Sequence, residues 1–109
     1  MKYEVKFREK GYGGKAYVVL YDKDGKKIEP KEIIRAKSGR RGIEVYELND
    51  GIYYIEEVSI SSSGKSQVSV KEVQVQGNEL KVVNEKMVRD DYSGIYRDYP
   101  DWFPKVKKE

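Results

Sequence analysis

The sequence predicts an all-β protein, an antiparallel β sandwich of about seven strands, with a small β barrel as the alternative. Three observations predict it. Apolar and polar residues alternate over long stretches, which is the period of a half-buried strand. Turn residues at Asp22–Gly25, Asn49–Gly51 and Gly77–Asn78 cut the chain into short segments. Val, Ile and Tyr, the residues that fit a pleated surface, fill those segments.

Taken in order, Tyr3, Val5 and Phe7 share one face, with Lys2, Glu4, Lys6 and Arg8 between them. The glycine cluster at 11–14 ends that strand and carries Tyr12 at its tip. Ala16 to Tyr21 is apolar on both faces and reads as a central strand. After the Asp22–Gly25 turn and Pro30, Ile33 to Ala36 reads as a short strand or a single helical turn. Ser38 to Gly42 is a loop, and Ile43 to Leu48 is a strand closed by the Asn49–Asp50–Gly51 hairpin signal. Ile52 to Ile60 is a long strand rich in β-branched and aromatic residues, and Ser61 to Ser66 is its tip. Val68 and Val70 share one parity and Val73 and Val75 the other, so a bulge or a change of buried face falls near Lys71-Glu72. Gly77-Asn78 then leads into Leu80 to Val83 and on toward Val88.

Residues 89–109 form an aromatic extension of the domain at 1–88. They hold Tyr92, Tyr96, Tyr99, Trp102 and Phe103, interrupted by Gly94, Pro100 and Pro104. The apolar spacing allows a short helix there before an extended end. One reading packs the segment back over an open end of the sandwich. The other makes those five aromatic residues anchors for a protein partner, a use for which Tyr and Trp are favoured.

At 109 residues the chain is one domain with room for a single core. Hydrophobic residues are a modest 38%, but ten tyrosines add enough half-buried surface to argue against disorder. No stretch approaches the ~18 apolar residues of a membrane-spanning helix, and MKYEVKFREK lacks the apolar run of a secretory signal. A cytoplasmic protein is the expectation. The absence of Cys and His excludes disulfides, thiolate chemistry, imidazole bases and the usual zinc ligands. With 38% charged residues and few Asn or Gln, the composition resembles that of hyperthermophile proteins.

Two segments carry a resemblance. Residues 16–28 read AYVVLYDKDGKKI and residues 42–58 read GIEVYELNDGIYYIEEV. Gly42, Val45, Leu48, Gly51, Tyr53 and Ile55 fall in an order that resembles the prealbumin-like (transthyretin-like) sandwiches, including carboxypeptidase regulatory domains and collagen-adhesin B repeats. The resemblance implies a prealbumin-like sandwich, with an immunoglobulin-like one as the neighbouring possibility. Some adhesin repeats form a lysine–asparagine isopeptide bond beside a buried acid. The positional counterparts are Lys6, Asn84 and Glu56 or Glu57, but the sharper flanking motif of those repeats is missing.

Catalytic motifs fail on spacing. Ser62 to Ser66 contains the last letters of a phosphate-binding loop, yet Ser59 stands where its first glycine belongs and a strand follows instead of a helix. Asp22–Gly25 echoes a calcium loop without its spacing or terminal Glu. Glu56 and Glu57 are adjacent on a strand and face apart. No enzymatic activity and no cofactor are expected.

Charge is unevenly placed. Lys31, Arg35, Lys37, Arg40 and Arg41 cluster in one stretch, and Glu44, Glu47, Asp50, Glu56 and Glu57 follow. The expected arrangement pairs the two stretches across neighbouring strands. The functional expectation is a non-catalytic protein-interaction or structural module, with self-association through an edge strand included. The alternative is a nucleic-acid-binding β protein gripping phosphates with Arg35, Lys37, Arg40 and Arg41, and stacking bases on Tyr46, Tyr53 or Tyr12. A third possibility is a small inhibitor of a host protein, encoded by a virus or mobile element.

Overall fold

The structure is a computed structural model that describes residues 1–9 and 13–105; Tyr12 and the end of the chain lie outside the described residues. The strands are β1 (Lys2–Arg8), β2 (Lys15–Tyr21), β3 (Lys27–Ile28), β4 (Glu32–Arg35), β5 (Arg41–Glu47), β6 (Gly51–Ile60), β7 (Ser66–Gln76), β8 (Glu79–Asp90) and β9 (Ile95–Tyr96). They form one antiparallel sheet of nine strands in the order β4-β5-β1-β2-β6-β7-β8-β9, with β3 paired to β2. The protein is all-β, as the alternation requires. The expected seven strands are joined by the two-residue β3 and β9, too short to leave a periodic signal. The segment around Ile33 is a strand.

The sheet does not close into a barrel, because β4 and β9 end it without meeting. It folds over instead. Among the described residues, β1 and β2 share a single register pair, Arg8 opposite Ala16. β1 otherwise runs along β5, while β2 runs along β6 and gives its far end to β3. The first hairpin therefore diverges, and β4-β5-β1 lies as a second layer over β2-β6-β7. Val5, Tyr46 and Leu48 from one layer meet Leu20, Ile55, Val73 and Val75 from the other. Each fully buried Leu or Ile there contributes roughly 1.5–3 kcal/mol relative to exposure.

β2 is apolar on both faces because both are covered. Its second face, with Tyr21, joins Val70 and Val88 in another buried cluster that Phe103 completes. The segment from Arg97 to Lys105 is thus a strap across the sheet, reaching the β2–β3 turn where Pro104 and Lys105 lie against Gly25. β8 continues past Val88 to Asp90 before that strap begins. Among the described residues of this segment, the expected short helix does not form. A single turn, with the Phe103 N–H bonded to the Pro100 carbonyl at 3.0 Å, is followed by Pro104, which offers no donor to extend it.

The parity change along β7 is a change of buried face. β7 keeps unbroken register with β6, so Val73 and Val75 meet the first core and Val68 and Val70 the second. The irregularities fall on β8, which carries extra residues at Val83 and Val88 relative to β7.

Candidate functional site

β4 forms one end of the sheet, and all four of its residues are exposed. Its register with β5 places Ile34 opposite Ile43 and Arg35 opposite Gly42. The Ala36 N–H bonds to the Arg41 carbonyl at 2.8 Å. Hydrogen bonding alternates along an antiparallel ladder, so Glu32 and Ile34 turn their amides toward β5. Ile33 and Arg35 turn theirs outward. Ile33 and Ile34 are 48% and 49% exposed, an unusual amount of apolar surface for an open edge.

Ile33 and Arg35 also line a cleft of about 500 Å³ with Phe7, Arg8, Glu9, Lys15, Ala16, Tyr17 and Glu44. The divergence of β1 from β2 opens it. The Arg35 guanidinium lies 5.4 Å from the Phe7 ring centre and donates to Glu9 at 2.9 Å and to the Gly39 carbonyl at 3.1 Å. Gly42 lies opposite Phe7 in the β1–β5 register, where a Cβ would stand 2.6 Å from the ring. Burial raises the Glu44 carboxyl above its ordinary range, against the pull of Lys27, the Tyr46 hydroxyl and Arg35. Burial, and then Glu44, raises the Tyr46 phenol in turn. The cleft has an apolar floor and a mixed-charge rim, suited to receiving side chains.

The basic residues divide. Arg35 is engaged as described, whereas Lys37, Arg40 and Arg41 are exposed and have no ion-pair partner among the described residues. The expected pairing between the basic and acidic stretches does not occur. Arg35 pairs with Glu9 of the first hairpin, Glu57 pairs with Lys71, and Glu47 takes the N-terminal ammonium. Antiparallel register is the reason, since it sets the apolar Ile34 and Ile43 opposite each other and Arg35 opposite a glycine.

The aromatic tail also divides. Phe103 is buried, in edge contact with Tyr21, Tyr54, Tyr99 and Trp102. The Tyr99 hydroxyl donates to Glu56, and burial followed by this bond raises its pKa. Tyr92 and Tyr96 stay exposed, beside Lys65 at 5.1 Å and Arg89 at 5.6 Å. Tyr99 is also half-exposed, and it lines one cleft with Tyr96.

The asparagine and glutamate counterparts of an isopeptide bond are engaged elsewhere. Asn84 donates to Glu72 at 2.6 Å, Glu57 pairs with Lys71, and Glu56 accepts from Tyr99. Ser61 to Lys65 is a hairpin tip closed on the Ser61 hydroxyl, and the Asp22 carboxylate caps its own turn through the amides of Asp24 and Lys26.

Ile33, Ile34, Phe7 and Glu9 are the surface residues that reasoning from sequence missed. Pro30 followed by a brief apolar pair between charged residues is the signal of a short edge strand that was open to reading. Comparison of the chain with protein-family models, with curated proteins and with solved structures finds no match.

Proposed function

We propose that this chain is a non-catalytic protein-interaction module that takes up an extended segment at the β4 edge. One observation carries the reading: β4 presents outward amides at Ile33 and Arg35 together with two half-exposed isoleucines. An added strand gains main-chain hydrogen bonds there and sends alternate side chains into the Phe7–Tyr17 cleft. The free edge of β8 also exposes Val82 and Val83, but it is interrupted by the irregularities at Val83 and Val88 and carries Lys81, Glu85 and Lys86. Bulges and charges of that kind discourage strand addition. The prealbumin-like positions support a rigid framework for this role, with Val45, Leu48 and Ile55 buried and Gly42 beneath the Phe7 ring.

The test compares wild type with Ile33→Pro as baits in source-cell extract, with and without nuclease. Proline removes an outward amide and leaves the β5 ladder intact. Protein capture that disappears in the variant supports the edge. Capture that is unchanged overturns it.

A second reading rests on a different observation. Arg8 and Arg41 are direct cross-strand neighbours, with exposed Arg40 and Lys37 close in sequence. Like charges placed opposite each other are unfavourable, and a polyanion relieves them. Nucleic-acid binding at this patch is expected to weaken steeply with salt and to fall in Arg41→Ala. No binding at low salt overturns it.

A further inference from the structure

We propose that the segment added at β4 is the β4 strand of a second copy of this chain, paired antiparallel with Ile34 on the two-fold axis. This rests on the edge reading above and names its occupant. Two copies that extend one sheet are related by an axis perpendicular to it, so each face continues as the same face. Opposite residues must then share parity, and the pairing must centre on a residue.

Centres at Ile33, Ile34 and Arg35 lie within the strand and set different residues opposite each other. Centring on Ile33 sets Arg35 opposite Lys31 of the second copy. Centring on Arg35 sets two arginines face to face. Centring on Ile34 sets Ile34 against its own copy, Ile33 against Arg35 of the second copy, Glu32 against Ala36 of the second copy, and, beyond the strand ends, Lys31 against Lys37 of the second copy. Like charges directly opposite are destabilising, whereas an apolar cross-strand pair is favourable.

Hydrogen bonding favours the same centre, because the Lys31 amide that an Ile33-centred pairing would bring opposite Arg35 is already bonded to the Val45 carbonyl at 2.8 Å. Ile33 and Arg35 carry the outward amides, and this register makes them partners of each other across the axis. Ile34, whose amide is used by β5, falls at a non-hydrogen-bonded position, where side chains approach closest. The segment is therefore complementary to itself in apolar contact and in hydrogen bonding.

The absence of native cysteine makes the register directly readable. Single variants Ile34→Cys, Ile33→Cys and Glu32→Cys are oxidised in parallel, with circular dichroism confirming the fold of each. A disulfide-linked dimer is expected to form at least tenfold faster at position 34, where the two Cβ atoms meet within bonding range. Sedimentation of the wild type is expected to show a concentration-dependent dimer that Ile34→Lys abolishes. Equal cross-linking at the three positions overturns the register. A wild type that is monomeric at every concentration overturns the second copy as occupant. In that case, partner capture still sensitive to Ile33→Pro shows that the edge reading itself survives.

Discussion

Gly42 has no side chain because its neighbours occupy the space. A Cβ there would stand 2.5 Å from the Ile34 carbonyl oxygen and 2.6 Å from the Phe7 ring. Gly42→Ala, which ordinarily favours a strand, is expected here to destabilise by about 1–3 kcal/mol; chemical denaturation measures it. Glu44 gives a pH signature of its own. Its folded-state pKa lies above the ordinary value because burial disfavours the anion, with Glu29 adding to the effect and Lys27, Tyr46 and Arg35 opposing it. The ionised form therefore costs stability, and that cost disappears as pH falls through the folded pKa. Glu44→Gln is expected to raise the denaturant midpoint at neutral pH, with the gain shrinking on acidification. Asp90 and Asp91 have the opposite sign. The Ser93 hydroxyl on Asp90 and the Ser66 amide on Asp91 hold both carboxyls low, so their stabilisation is lost as pH falls. A gain for Glu44→Gln that grows toward acid pH would contradict the assignment of burial as the cause.

Among the elements, the strap separates anchors from bystanders. Phe103 is 6% exposed inside a ring of aromatic neighbours, while Tyr92 is 58% exposed. Phe103→Ala is expected to cost about 3–5 kcal/mol, and Tyr92→Ala to stay within ~0.5 kcal/mol; paired thermal melts compare them directly. The sequence could not rank these residues, since both are aromatic residues in a polar, proline-broken segment. Only the strap's path over Tyr21 and Val70 distinguishes them. Local signals served better. The alternation along β1 reports the buried face at Tyr3 and Val5, although Phe7 at its end lines the cleft, and the two apolar faces of β2 report two covered ones. The divergence of β1 from β2 was not legible, because it depends on β1 finding β5 across more than thirty residues of chain. The Arg35–Glu9 pair and the cleft follow from that distant pairing and were hidden with it. The edge character of β4 was hidden for a different reason. Its four residues are too few to show a period, and edge or centre is a property of neighbours rather than of the strand.

For the whole molecule, both layers of strands belong to one sheet, the strap covers its second face, and this decides how it unfolds. Leu20 and Tyr21 are adjacent on β2 but serve opposite cores, and β7 does the same with Val70 and Val73. Neither core keeps its walls once β2 or β7 leaves the sheet. Trp102, the single tryptophan, lies in the strap and packs on the second core, so its fluorescence reports the strap while far-ultraviolet dichroism reports the sheet. The two signals are expected to trace one denaturation curve in the wild type, the mark of a two-state transition. Leu48→Ala weakens the first core from its far layer and should shift both signals together. Phe103→Ala cuts the strap's anchor without touching the first core, and should let the tryptophan transition move ahead of the dichroism. A fluorescence change that precedes unfolding already in the wild type would mean that the strap opens independently of the sheet. The second face would then be a surface uncovered in the native state, and no longer part of a shared core.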